Sequence, residues 1–133
     1  MRPLPWTALT EPEPGGTYVF VATRFHLRSL ATTIRFFRAA RPVTALLEGG
    51  PLGLVGFSLM ARPLARRFWT LSVWEEEGSV ERFVGDPTHV AAIRRLRAGM
   101  RSFDSVRWSD GGAACPPSWD EALDLLARRD AGR

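Results

Sequence analysis

The chain has no lysine, so all 18 of its basic residues are arginines, set against 14 acidic ones. A guanidinium does not titrate in the accessible range, so this choice lifts the isoelectric point although the net charge is only +4. Such an arginine- and alanine-rich composition fits a GC-rich genome better than a polyanion partner, and no nucleic acid is expected on this ground. Cysteine occurs once, at Cys115, which excludes an internal disulfide and fits a bacterial, cytoplasmic protein. Long apolar runs are missing as well. Thr44–Leu47 and Leu52–Phe57 fall far short of the roughly 20 residues that span a bilayer, so no membrane insertion is expected. Met1–Trp6 leads into acidic, proline-containing sequence, which is not the pattern of a signal peptide. With two histidines, His26 and His89, and one cysteine, no spacing matches a metal cluster made of side chains. P-loop, G-x-G-x-x-G and Ser/His/Asp patterns are absent too.

What remains reads as one α+β domain. Prolines at 3, 5, 12 and 14 and the pair Gly15-Gly16 make residues 1–16 an extended arm, pinned by Trp6. A βαββαβ domain occupies residues 17–109, and residues 110–133 form a loop and a C-terminal helix packed on that domain. The first strand is the β-branched and aromatic run from Thr17 to Phe25. Ser29 caps the helix that follows, with Leu30, Ile34 and Phe37 as its apolar face, and Pro42 kinks or ends it. Leu52–Ala61 and Arg67–Trp74 are the next strands. A short helix carrying Val80 and Phe83 ends at Gly85. Asp86 and Pro87 then open a second helix, with His89, Ile93, Leu96 and Met100 along one side. Phe103–Trp108 is the last strand. Ser118 with Glu121 forms a capping box for the terminal helix.

The strands lack the alternation of a half-solvated sheet. Phe68, Thr70, Ser72 and Trp74 point one way, and Trp69, Leu71 and Val73 the other; Tyr18, Phe20 and Ala22 likewise oppose Val19, Val21 and Phe25. Both faces call for burial. Helices cover one face of the ferredoxin-like antiparallel sheet, and a second copy packing sheet to sheet is the economical cover for the other, giving a homodimer.

The run FWTLSVWEEEGSVERFV, followed by DPTHVAAIRRL, resembles the dimeric α/β-barrel superfamily that contains the antibiotic-biosynthesis monooxygenases, and is most similar to its spheroidene-monooxygenase-like branch. The resemblance covers roughly residues 17–109 and the helix start at Pro117–Trp119. It implies a ligand pocket between sheet and helices, with His89, Ile93 and Phe83 on one wall and Arg24, Ser58 and Trp74 opposite or at the rim. The asparagine, tryptophan and histidine of the haem-degrading members fall on Thr23, Phe83 and Ile93 here, so haem degradation by that route is not expected.

His89 is a base or a haem ligand if it lines a pocket, and a helix-capping residue if it does not. Arg24 points into an apolar layer and needs an anionic partner, either Asp104 or a substrate group. Trp74 is a core residue that also offers a stacking surface for a flat substrate. His26 reads as exposed or capping, and Cys115 lies in a loop with no base nearby in sequence. The expected function is a monooxygenase-like enzyme of secondary metabolism acting on a hydrophobic small molecule. His89 and Arg24 are its catalytic residues, and Trp74, Phe83, Ile93 and Ser58 its substrate-binding residues. No cofactor is the first expectation, with haem on His89 as the other possibility. A cyclase or isomerase in the same pocket, or a non-catalytic small-molecule- or haem-binding dimeric module, stands as the alternative.

Overall fold

The computed structural model describes residues 4–131. Its elements run β1 (Thr7–Ala8), β2 (Thr17–Leu27), α1 (Leu30–Glu48), β3 (Leu54–Arg62), β4 (Arg67–Trp74), α2 (Glu77–Val84), α3 (Pro87–Arg97), β5 (Met100–Gly111) and α4 (Trp119–Ala131). Short 3-10 turns at Pro63–Ala65 and Gly112–Ala114 complete the path. The sheet order is β1-β3-β4-β2-β5, antiparallel throughout. The two longest strands, β2 and β5, lie side by side and carry the expected ferredoxin-like α+β architecture.

Local chemistry sets most boundaries. The Ser29 side chain accepts from the Thr32 amide, Asp86 accepts from Thr88 with Pro87 in the first turn, and the Ser118 hydroxyl accepts from the amides of Asp120 and Glu121. Gly85 ends α2, donating its amide to Glu81. Gly99 lets α1 and α3 approach closely: a Cβ there would lie 2.1 Å from Thr32 Cγ2.

Of the two alternatives for Pro42, it does not end α1: the helix runs on through Val43–Leu47 and stops at Gly49. One expectation fails, because Leu30, Ile34 and Phe37 do not form the docking face; they are 54%, 60% and 48% exposed. The helix turns Thr33, Phe36, Ala39, Val43 and Leu47 inward instead. Both stripes have helical spacing. The inward one wins because Phe36 stacks on Phe68, with ring centroids 4.2 Å apart, while Leu47 and Val43 reach the cluster around Val21 and Trp74.

The two-sided burial read from the strands is real. On the α1–α3 side lie Val19, Val21 and Trp74, joined by Val80 of α2, with Phe25 and Phe68 further along the sheet. On the other side Ala22, Met60, Trp69 and Leu71 pack against Ala122 and Leu126 of α4, while Trp6 reaches Phe20, Val55 and Val73. Helices therefore cover more than the one face expected: the chain's own arm and terminal helix take up the second. A sheet-to-sheet pair of copies would have to form around α4. The arm is held along β3 by the Leu4 amide on Leu59 O and the Leu9 amide on Val55 O. Gly56 leaves room for the indole, since a Cβ there would lie 2.5 Å from Trp6.

Leu126 is fully buried and Ile34 is not. Leu126→Ala is expected to lower unfolding free energy by about 2–5 kcal/mol, and Ile34→Ala by less than about 1 kcal/mol. Urea denaturation of both variants checks the assignment of faces; equal losses would contradict it.

Candidate functional site

α2 and α3 meet at the short link Gly85–Asp86, and the imidazole of His89 lies across that junction. Val84 O belongs to the last turn of α2, where carbonyls lack helical partners. His89 Nδ1–H donates to it at 3.1 Å. A carbonyl only accepts, so the ring proton sits on Nδ1 and Nε2 keeps its lone pair. The half-buried ring packs on Phe83 with centroids 5.0 Å apart, and Phe83 packs on Trp74 at 5.2 Å. Burial pushes the His89 pKa below its ordinary value, outweighing the opposing pulls of the Val84 hydrogen bond and Asp86. At neutral pH this is an uncharged imidazole whose Nε2 bonds none of the described residues, at the outer end of an aromatic row that starts in the core.

Trp74 anchors that row. It is 2% exposed, and its indole N–H donates to Ser72 Oγ at 2.8 Å, so its polar end is satisfied within the sheet. Ile93 is half-buried one helical turn beyond His89. The sequence therefore brings His89, Phe83, Trp74 and Ile93 to one side of the sheet.

Arg24 and Ser58 lie on the other side. Arg24 shares a face with Phe20 and Ala22 and binds Asp104, Nη2 to Oδ2, at 2.8 Å. Asp104 is 4% exposed, so of the two partners considered for this guanidinium the protein's own carboxylate is present. Ser58 donates its hydroxyl to Leu4 O at 2.7 Å and fastens the N-terminal arm. The sheet stands between these two residues and His89, so the six expected site residues do not share one pocket. The strand register, illegible in sequence, decides this.

A cavity of about 420 Å³ opens elsewhere, beneath the arm, lined by Trp6, Leu9, Pro12, Cys115 and Pro116 among others. Burial raises the Cys115 pKa, which keeps the thiol protonated and makes it a poor nucleophile. His26 sits opposite Arg67 on β4, and its pKa is lowered by burial first and then by the charges of Arg67, Arg101 and Arg66.

One contributor escaped the sequence reading. Arg107 of β5 bridges Glu77 and Glu81 of α2 at 2.8 and 2.7 Å. These partners are largely exposed, so the bond steadies α2, which carries Phe83, more than it stabilises the fold. Two glutamates four residues apart on one helix face were the available signal, obscured by the preceding Glu75 and Glu76.

No protein-family model matches the chain, and no curated protein does. Solved structures do. A candidate monooxygenase from Lactobacillus acidophilus NCFM superposes with a TM-score of 0.61 at 12% identity over 80% of this chain, which spans 51% of that protein. A candidate antibiotic biosynthesis monooxygenase from Caulobacter crescentus CB15 gives 0.57 at 15% identity, covering 74% of this chain and 91% of its own. A dimeric ferredoxin-like protein of unknown function from Thermobifida fusca YX gives 0.56 at 15% identity, covering 71% and 92%. At such identities the likeness establishes the shared ferredoxin-like fold. Among the described residues, no helix is long and apolar enough to cross a membrane.

The lowered His89 pKa has a sign that can be checked. A histidine held neutral by folding contributes stability in full above about pH 6.5, its unfolded value, and loses it as pH falls through the folded pKa. The wild type is therefore expected to lose stability relative to His89→Gln on acidification from pH 7 to 5, measured by urea unfolding at each pH. Parallel pH profiles would contradict the assignment.

Proposed function

We propose that the protein is a cofactor-free, monooxygenase-like enzyme acting on a hydrophobic, electron-rich aromatic molecule beside the Trp74–Phe83–His89 row. The observation that carries this reading is the state of His89: neutral, oriented by Val84 O through Nδ1, and with an Nε2 that bonds none of the described residues, at an aromatic wall. Support also comes from the fold shared with candidate monooxygenases and from the resemblance to the spheroidene-monooxygenase-like branch in the strand–helix segment that builds the row.

Nε2 is the base that removes a proton from the activated carbon of the substrate. The resulting carbanion gives its electrons to dioxygen, a C–O bond forms, and loss of water leaves a carbonyl at that carbon. Oxygen is the oxidant, and the substrate supplies the electrons. With Arg24 on the far side of the sheet and bound to Asp104, it does not stabilise the anion. The substrate must delocalise that charge itself, which favours fused phenolic or anthrone-like rings over isolated alkenes. On this reading His89 acts as a base and holds no haem.

The homodimer belongs to this proposal. Sedimentation should show twice the mass of the 14.8 kDa chain. For the chemistry, oxygen uptake with an anthrone substrate should fall at least about 100-fold in His89→Gln. Unchanged uptake in that variant would remove His89 from the reaction. Hemin added to the wild type should give no Soret shift that His89→Ala abolishes.

A further inference from the structure

One end of the molecule combines features with no role in the reading above. The turn Pro63–Ala65 joins β3 to β4 there, and Leu64 projects from it 87% exposed. The N-terminal half of α1 packs beside this turn, bringing the exposed stripe Leu30, Ile34 and Phe37 to the same corner. Phe37 touches Phe68, the second residue of β4, with ring centroids 5.4 Å apart.

Arginines lie at the same end of the molecule as this apolar corner. Arg62 pairs with Arg67 across the turn, and Arg67 also lies opposite His26 on β2. The Leu27 amide donates to Arg66 O, and Arg28 Nε donates to Met100 O, which brings the start of β5 with Arg101 to the same end. Burial first, and then the positive charges of Arg67, Arg101 and Arg66, hold the His26 pKa below its ordinary value. Arg35, Arg38 and Arg41 line the outer surface of α1 and are exposed. From Gly15 to Trp74 the only acidic residue is Glu48, at the far end of α1. The carboxylates of α2 lie beyond the opposite end of β4.

We propose that this corner docks the protein on an anionic lipid surface, with Leu64, Leu30, Ile34 and Phe37 entering the headgroup layer and the arginines at this end binding lipid phosphates. Charge complementarity selects an anionic partner, and the apolar side chains select one with an apolar interior. Shape and residue type separate a bilayer from the alternatives. Leu64 protrudes from a tight turn, whereas a partner helix needs a groove to enter. Three of the four apolar residues are aliphatic, whereas single-stranded nucleic acid is held by stacked aromatics. Docking of this kind lies on the surface and spans nothing. It does not depend on the reaction proposed for His89.

Vesicle co-sedimentation of the full chain tests the proposal, comparing phosphatidylglycerol–phosphatidylcholine vesicles with phosphatidylcholine alone. Binding is expected to the anionic vesicles only and to weaken strongly in 0.5 M salt. Leu64→Ser should weaken it about tenfold, and Arg67→Gln about fivefold. Arg128→Gln, on the solvent side of α4, should leave it unchanged. All three positions are exposed, and circular dichroism verifies that the variants fold. Absence of binding to anionic vesicles would overturn the proposal, as would equal binding to neutral ones. It would also fall if single-stranded RNA bound more tightly than the vesicles and survived Leu64→Ser. A sedimenting dimer that Ile34→Asp dissociates would mean that a second copy covers this corner, and would overturn it too.

Discussion

The central constraint is a sheet that no side of the molecule can leave wet. Phe20, Leu71 and Val73 are at most 1% exposed on one face, and Trp74 is 2% exposed on the other. Burying side chains of this size is the main favourable term in folding, and it has to be met on both faces at once. Three helices meet it on one side. On the other, Trp6 and α4 do so from opposite ends of the chain, so the two terminal segments are parts of the core. Gly56 belongs to the same requirement, because only a glycine there admits the Trp6 indole.

This layering also divides the chemistry. A strand alternates its side chains, so a shift of one residue in register moves a side chain from one compartment to the other. Arg24 and Thr23 are neighbours in sequence, yet Thr23 hydrogen-bonds Thr70 on the α1–α3 side of the sheet while Arg24 pairs with Asp104 on the α4 side. The neutral imidazole of His89 and the buried ion pair are separated by a β-sheet. The guanidinium of Arg24 is therefore out of reach of His89.

Much of this was legible in the residues. Strand β4 ran as expected from Arg67 to Trp74, and the caps at Ser29, Asp86 and Ser118 fell where short polar side chains precede helical spacing. The two-faced apolar pattern correctly called for two covers. What covers the second face was not legible, because an apolar strand shows that burial is needed and not which segment supplies it. The face of α1 was misread because Leu30, Ile34 and Phe37 and the stripe from Thr33 through Phe36 to Leu47 both have helical spacing. The stripe that reads as more apolar at its start is the exposed one. At the candidate site, the approach of His89, Phe83 and Trp74 followed from their order along the chain, whereas the separation of Arg24 and Ser58 needed the register.

Hydrogen–deuterium exchange along α4 tests the two-cover sheet most directly. If α4 is part of the core, the amides of Ala122–Leu126 should exchange about as slowly as those of Phe20–Ala22 in the central strand, since both open only with the whole domain. Exchange of α4 within seconds while β2 stays protected would show that the second face is covered by something else, and would contradict the account.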